Sequence, residues 1–509
     1  MLFIPEDGQG INPLLTHPGM FIHPPMLMTG LIAAAVPFAF GIGALIAGKT
    51  GDEWVDPGRI WGIVSWAILG IGLLLGAWWA YTILGWGGYW GWDPIENAGL
   101  MPWLGLTAFI HSIMVQKRRG MFRMWNIVLI IVTFGLAQFG MFLNRGGPVV
   151  SVHSFAASSL GWIFLAFMAF TMIFSFSLFF FRYNKLKADR SIESPLSREV
   201  AFLINNLLLL LIAFITMWGA IFPLITQVFK NQTVSIGAPF YNQVNGPLFL
   251  VLIFLMGIAP LLPWRKTALS DIKYALLFPA TSAVLFMLIL FIIGVHQFYP
   301  LIAFGLCSMV FFSISREWYK GTRLRAKRTR NIFKAFVNLI ASNRPRYGGY
   351  IVHIAIIFLA FGVAGSSFYK IQEDIILAPG ESVAIADYDV KYVDSRIIQK
   401  SDHTQYLADL TIYKNSKEIS KMTAWRAYYP DFRMASTKAA IRSTLLEDLY
   451  IINSEFLDDG SGVFRITVNP LVIWIWIAGP ILIFGTVIAL WPQAKMARSK
   501  IKVKQLKNG

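Results

Sequence analysis

Long apolar runs constrain the fold of this chain more than any other feature of its sequence. About eleven of them are long enough to cross a bilayer as a helix. The 509 residues are 56% hydrophobic and only 14% charged, which excludes a soluble protein of this size. The predicted fold is an all-α polytopic membrane protein, and the runs lie at about 26–48, 60–84, 95–116, 124–143, 160–181, 201–225, 247–264, 273–295, 299–315, 348–368 and 470–491.

The positions of the basic residues predict how these helices are oriented. With the N-terminus outside, the inner loops and the C-terminal tail hold most of the 44 Lys and Arg, whereas the short outer loops hold only Arg145 and Lys230. The C-terminus is therefore predicted to be cytoplasmic. A net charge of +17 in alternate loops, above all in the predicted inner loop 316–347, indicates contact with anionic membrane lipid and not with nucleic acid.

One sizeable polar region interrupts the apolar pattern at about 369–469. Its segments mix β-branched and aromatic residues with polar ones between turn formers, which predicts a small β-rich extracytoplasmic domain. The chain is thus divided into a transmembrane core over 1–368, this domain, and a last helix with a basic cytoplasmic tail over 470–509.

The segment 84–103 is the most unusual part of the transmembrane core, because its centre reads WGGYWGWDPIEN. Large aromatics among glycines predict a flat shelf on which a planar ligand such as haem could stack. Aromatics are also enriched at any membrane interface, and Asp93 with Glu96 fits a helix start with Asp93 as its N-cap. The candidate haem-binding residues are Trp86, Tyr89, Trp90, Trp92 and Asp93. The interfacial alternative stays open for the four aromatics, and the helix start stays open for Asp93.

Four of the seven histidines form two candidate pairs. His23 and His153 are predicted outside, on the side of the tryptophans, where two imidazoles could ligate the iron of one haem. His111 and His353 lie within predicted helices at matching depths, each about 9 Å from the inner boundary. An ionisable residue at that depth indicates a function, although a hydrogen-bonded core pair or a proton path is the structural alternative. The structural alternative for the outer pair is that both are ordinary histidines at the membrane interface and ligate no metal.

Three further residues have less specific interpretations. Arg145 could pair with a haem propionate or could anchor a turn. His17 is near enough to the outer site to be an alternative ligand. Cys307 is the single cysteine, which excludes an internal disulfide or redox pair, and its apolar surroundings predict a small core residue.

Together these pieces resemble a known family. The motif WGxxWxWDPxEN, the NPLL and HPP elements near the N-terminus, the NRG and VHSF elements near residue 150, and the two helical histidines are similar to the CcmF family, the haem lyases of the cytochrome c maturation system. The nitrite-reductase-specific NrfE relatives are close behind. The resemblance implies that His23 and His153 ligate incoming haem, and that His111 and His353 hold a b-type haem.

The resemblance also implies an activity and partners. The protein would take haem from a membrane-anchored chaperone resembling CcmE and attach it, by two thioether bonds, to the CxxCH motif of an apocytochrome c. Subunits resembling CcmH and CcmI would deliver the apocytochrome, and quinol would supply electrons through the b-haem. This work is expected at the extracytoplasmic face of the bacterial inner membrane.

Two other functions and one further partner remain open. The chain could be a haem exporter of the same tryptophan-motif superfamily, or an electron-transfer protein that oxidises quinol. Family members usually carry several more helices before the position of Asn12. We therefore expect a separate polypeptide to supply the missing N-terminal helices.

Overall fold

A computed structural model describes residues 11–146, 151, 159–188, 190, 192–264 and 269–492. Within those ranges, eleven helical segments are long and apolar enough to cross a membrane, which confirms the predicted fold class. The helices are α1 Gly19–Ala33, α2 Ala35–Ala47, α3 Val55–Ile83, α4 Pro94–Arg119, α5 Arg123–Gly146, α6 Leu160–Arg182, α7 Arg198–Lys230, α8 Ala238–Ile258, α9 Leu269–Ile292, α10 Phe298–Thr329, α11 Ile332–Ser342, α12 Arg344–Phe368 and α13 Ile473–Leu490.

The first membrane span begins earlier than its apolar run predicts. It extends over Gly19–Ala47 and consists of α1 and α2, which meet at Ala34. Pro37 lacks the N–H that would bond to the carbonyl of Ala33, and this accounts for the break. His23 therefore lies in the second turn of α1. The first predicted run begins at about residue 26, which would place His23 before the first helix. That prediction is wrong, because prolines near a helix start do not exclude helix in a membrane bundle.

The basic region 316–347 is also more helical than predicted. Helix α10 continues to Thr329, and α11 follows after a short break. Lys and Arg are good helix formers, so the loss of hydropathy after residue 315 marks the edge of the apolar layer and not the end of the helix. The prediction of a loop over 316–347 is wrong for this reason. We call this side of the bundle the basic end.

The polar region folds into two antiparallel sheets around a shared core. Within the fully described range 369–470, one sheet has the strand order β1-β9-β8-β7 and the other has the order β2-β3-β4-β5-β6. Tyr392, Ile412 and Phe464 are among the apolar side chains buried between the sheets. The strands are β1 Ile371–Leu377, β2 Ser382–Ile385, β3 Tyr388–Gln399, β4 Thr404–Lys414, β5 Lys417–Tyr429, β6 Met434–Lys438, β7 Ala440–Ser443, β8 Glu447–Phe456 and β9 Gly462–Pro470.

Helices α12 and α13 connect this β-domain to the bundle at the end opposite the basic end, which we call the β-domain end. The two helices approach closely at two glycines. A Cβ atom on Gly348 would lie 2.5 Å from the backbone nitrogen of Ala489, and one on Gly485 would lie 2.8 Å from that of Val352. Small residues permit this backbone contact between membrane helices. The β-domain is therefore attached at both its termini by a tightly packed helix pair.

Candidate functional site

The bundle brings His111 of α4 and His353 of α12 together. Their ring centroids are 6.2 Å apart and their planes differ by 14°. The Nδ1 atom of His111 is 2.7 Å from the carbonyl oxygen of Thr107, one turn earlier in the same helix. A carbonyl only accepts, so Nδ1 carries the proton and Nε2 keeps its lone pair for a metal. The Nδ1 atom of His353 is buried without a hydrogen-bond partner in the described part of the chain.

The chemistry of this pair suits haem iron. Metal–imidazole bonds are about 2 Å long, so two nearly parallel rings at the observed separation are within reach of one metal atom. The described residues contain no cluster of three or more His, Cys, Asp or Glu side chains that could hold a metal ion by itself. Two imidazoles complete the coordination of iron only where another group supplies the other ligands, as a porphyrin does. The residues present therefore fit a bis-histidine haem.

The tryptophan-rich segment connects α3 to α4 at the β-domain end. Asp93 caps α4: the N–H of Ile95 donates to its Oδ1 at 2.9 Å, and the Asp93 N–H donates to Glu96 Oε2 at 3.0 Å. The interpretation of Asp93 and Glu96 as a helix start is thus confirmed. The Ser151 hydroxyl also donates to Asp93 Oδ1 at 2.6 Å, which attaches the chain after α5 to this segment.

The aromatic side chains of the segment do not form one flat shelf. Trp90 and Trp92 are perpendicular, with centroids 6.0 Å apart at 86°. Trp92 stacks on Tyr241 of α8 at 4.8 Å and 8°, and its Nε1 donates to Asn242 at 2.9 Å. Trp86 lies against Gly88, where a Cβ atom would be 2.6 Å from its ring. The prediction of a single flat surface is wrong, because Trp92 has a φ of 57° and because Tyr241 already covers one of its faces.

Three polar residues that sequence reasoning missed hold this segment against the β-domain. Tyr81, at the end of α3, donates to Asp448 Oδ2 at 3.1 Å. Asn469 donates from Nδ2 to Tyr81 Oη and to the Gly87 carbonyl, each at 3.2 Å. Nothing in the local sequence signals these contacts, because Asp448 and Asn469 read as ordinary strand residues and lie more than 360 positions from Tyr81 in the chain. Tyr89 is held separately, by a 2.9 Å hydrogen bond to Ser366 of α12.

The contact through Asp448 is expected to depend on pH. Burial raises the pKa of Asp448 to about 6, although the hydrogen bonds from Ser443 and Tyr81 act in the opposite direction. The folded state therefore binds more protons than the unfolded state between about pH 4 and pH 6, and stability falls as pH rises through that window. Two pKa units correspond to roughly 3 kcal/mol.

We expect Asp448→Asn to remove this dependence. The variant and the wild type should unfold at similar temperatures near pH 4, while the variant should be the more stable above pH 6. Thermal unfolding of the purified protein in detergent at both pH values measures the difference. Other carboxylates titrate in the same range, so the comparison of the two proteins is the informative quantity. If the difference in unfolding temperature between the two proteins were the same at both pH values, the raised pKa of Asp448 would be contradicted.

The predicted outer ligands have different environments. His23 is buried between α1 and α3, with Nδ1 2.8 Å from the Gly72 carbonyl oxygen. A Cβ atom on Gly76 would lie 2.5 Å from its Cε1, so α3 leaves room for this ring only because residue 76 is a glycine. Arg145 is in the last turn of α5, at the β-domain end. His153 lies outside the described residues; Ser151, which is bonded to Asp93, precedes it by two positions.

His17, the alternative outer ligand, lies just before α1. Its ring is 4.9 Å from that of Trp78, and its Nδ1 accepts from the Gly19 N–H at 3.0 Å. Its Nε2 is 3.4 Å from the hydroxyl of Thr82. Burial, and secondly the charge of Lys438, lower the pKa of His17, so that its ring stays neutral near pH 7. Because Nδ1 accepts a hydrogen bond, the proton of the neutral ring lies on Nε2, and His17 would have to give up its bond to Gly19 to ligate a metal through Nδ1.

The fold and the paired histidines define a polytopic membrane protein whose helices enclose a site suited to haem. Residues 1–147 match the family described as "Cytochrome C assembly protein", and residues 368–470 match "CcmF C-terminal beta-sandwich". The chain is 32% identical to the cytochrome c-type biogenesis protein CcmF of Haemophilus influenzae over 493 residues, 96% of this chain and 74% of that protein. It therefore belongs to the CcmF family of cytochrome c-type biogenesis proteins.

Other relatives agree with this assignment. CcmF of Pseudomonas aeruginosa is 33% identical over 98% of this chain and 75% of its own length. NrfE of Haemophilus influenzae is 28% identical over 96% of this chain and 75% of its own length. A solved structure of "Cytochrome c Heme Lyase CcmF" superimposes with a TM-score of 0.77 at 27% identity, covering 94% of this chain and 73% of the other. The resemblance that the sequence motifs indicate is confirmed.

Proposed function

We propose that this chain is the haem lyase subunit of a cytochrome c maturation system. It receives haem from a membrane-anchored chaperone resembling CcmE and positions it for attachment to the CxxCH motif of an apocytochrome c. The observation that carries the proposal is the juxtaposition of His111 and His353, which two distant helices place 6.2 Å apart at membrane depth. A site of this kind is needed in a lyase because attachment requires reduced haem iron.

In the inner site, the chain's own residues hold and orient the ligands. Thr107 fixes the His111 ring so that Nε2 is the free nitrogen, and His353 approaches from α12. The b-haem that these residues would bind supplies one-electron redox chemistry, with quinol as the electron donor. The surrounding apolar helices exclude water, which protects the bound group from exchange.

In the outer site, His23 and His153 ligate the iron of the haem that is being transferred, and Arg145 pairs with a propionate. Trp86, Trp90 and Tyr89 provide aromatic surface at several angles, and the face of Trp92 not covered by Tyr241 contributes to it. The chain needs no nucleophile, because the cysteine thiols of the apocytochrome form the two thioether bonds with the haem vinyl groups. Subunits resembling CcmH and CcmI present that apocytochrome.

The basic residues support the orientation of this arrangement. Positive loops face the cytoplasm, so the basic end of the bundle lies at the inner surface and the β-domain lies outside. The outer site then opens on the extracytoplasmic side of the bacterial inner membrane. Both the chaperone and the apocytochrome would approach it there, next to the β-domain that holds the tryptophan-rich segment.

Removal of the gene from its host tests the function. We expect loss of covalent haem from membrane c-type cytochromes, while the chaperone accumulates with haem bound. An exporter would give the opposite result for the chaperone, which would then lack haem. Complementation with the wild type or with His296→Ala should restore the cytochromes, whereas His353→Ala should not. Normal c-type cytochromes in the deletion strain would overturn the proposal.

A further inference from the structure

Two arginines lie at the same spacing from the two histidines of the inner pair. Arg118 follows His111 by seven residues in α4, and Arg346 precedes His353 by seven residues in α12. Seven residues are almost two helical turns, so each arginine lies on the same face as its histidine and about 10 Å nearer the basic end. Because the two helices are antiparallel, both guanidinium groups lie below the pair on the same side.

The surroundings of these arginines form one cluster. Arg346 pairs with Glu317 of α10, and its Nε donates to the Tyr350 hydroxyl at 3.0 Å. Arg118 is close enough to interact electrostatically with Arg346 and Tyr350. Arg198, the first residue of α7, interacts with Arg346, Glu317 and Arg118 in the same way. Four helices therefore place charged groups around one point at the basic end.

The cluster has an excess of positive charge. Arg346 pairs with Glu317 and Arg198 interacts with the same carboxylate, while Glu199, the residue after Arg198, pairs with Arg119. Arg198 is further held by backbone carbonyls, with Nε donating to Leu262 at 2.9 Å. Like charges at the edge of an apolar bundle repel strongly, and a ligand with two negative charges would relieve that repulsion.

A haem held by His111 and His353 carries such a ligand in its two propionates. We propose that Arg118 and Arg346 bind the two propionate carboxylates of this haem, while Arg198 adds positive potential behind them. This inference rests on the inner haem site of the proposed function. Arginine suits the role because its planar group can donate two parallel hydrogen bonds to a carboxylate. A haem held in this way would have its propionates towards the basic end, where Arg118 and Arg346 lie.

The test compares haem b with its dimethyl ester, which has the same ring and iron but no carboxylates. Purified holoprotein is depleted of haem and titrated with each. The wild type should bind the ester at least about tenfold more weakly, and Arg118→Gln or Arg346→Gln should each weaken haem b binding by about tenfold. The double variant should distinguish little between the two ligands. Lys117→Gln and Arg344→Gln remove the same charge one and two positions away in the chain, where the side chains point in other directions around the helix, and should behave as the wild type.

The reduction potential supplies a second measurement. Neighbouring positive charge favours the reduced haem, so each Gln variant should have a lower midpoint potential with an unchanged low-spin spectrum. Arg118→Lys and Arg346→Lys keep the charge, and their potentials should stay near that of the wild type. If a Gln variant unfolds when it is depleted of haem, the corresponding Lys variant is titrated with haem b and with the dimethyl ester instead. A retained preference for haem b would support the inference, and equal affinities would contradict it.

Several results would overturn the inference. Equal wild-type affinity for haem b and the ester would mean that the arginines do not bind propionates, and would point to anionic lipid headgroups as their ligands. Gln variants that match the Lys117→Gln and Arg344→Gln controls would do the same. A wild-type protein without any low-spin haem spectrum would instead remove the inner haem site itself, and with it both this inference and that part of the proposed function.

Discussion

Replacing His353 with alanine is expected to remove the b-type haem that we propose for the inner site, and His111→Ala should have the same effect. Each substitution deletes one of the two proposed nitrogen ligands, whose rings lie 6.2 Å apart. Mutating a residue that only orients a metal ligand lowers metal affinity by about 10–100-fold. Removal of the ligand itself should therefore lower haem affinity by more than that. The measurement is haem per protein after purification, from the reduced-minus-oxidised spectrum.

The histidine variants allow two sharper comparisons. Haem added back to His353→Ala together with imidazole should give a low-spin spectrum, because the small ring can enter the space that the side chain leaves. Carbon monoxide should bind the reduced wild type poorly, and it should bind well to any haem retained by or added back to the variants, because only the variants would have an open coordination position. The control is His296→Ala, which removes a histidine whose ring packs against Phe291, far along the chain from α4 and α12. Full haem content in His111→Ala or in His353→Ala would contradict the ligand assignment.

The second large effect is expected at the outer site. His23→Ala should abolish most capture of haem from the chaperone, while the haem proposed for the inner site remains, because the two proposed sites use different histidines. His153→Ala should act in the same way. Pulldown of the chaperone with haem quantified on the captured complex measures this, with the inner b-haem content as an internal standard.

Glycines offer a matched pair of substitutions for His23. Gly76→Ala places a methyl group 2.5 Å from the Cε1 atom of His23, so the ring has to move and haem capture should fall. Gly43→Ala adds the same methyl group in α2, where no heavy atom lies within 4 Å, and should change nothing. If both variants capture haem normally, the position of the His23 ring does not matter and His23 is not the ligand. Loss of capture in His17→Ala alone would assign the role to His17.

The positions of the candidate membrane spans could be predicted from the sequence because they depend on local properties. A run of about 20 apolar residues is long enough to span the hydrocarbon layer wherever it occurs in the chain. The eleven spans and the β-rich region follow from such local patterns, and so does the capping of α4 by Asp93. The start of α1 could not be predicted in this way, because the HPP element resembles a loop whereas neighbouring helices keep it helical.

The family motifs likewise named the candidate ligands before any contact was known. The sequence by itself also determined that His111 and His353 lie at similar depths, since depth follows from counting residues along a helix. The separation of their rings was decided only by the tertiary structure, which packs α4 and α12 so that residues 242 positions apart are 6.2 Å from each other.

The tertiary structure also decided the shape of the tryptophan-rich segment. Its four aromatics look equivalent in the sequence, yet Trp92 stacks on Tyr241 and Tyr89 bonds to Ser366. The contact of Tyr81 with Asp448 is of the same kind. The physical reason is that hydropathy and capping act over a few neighbouring residues, whereas these contacts join distant parts of the chain and form only when helices and sheets have packed.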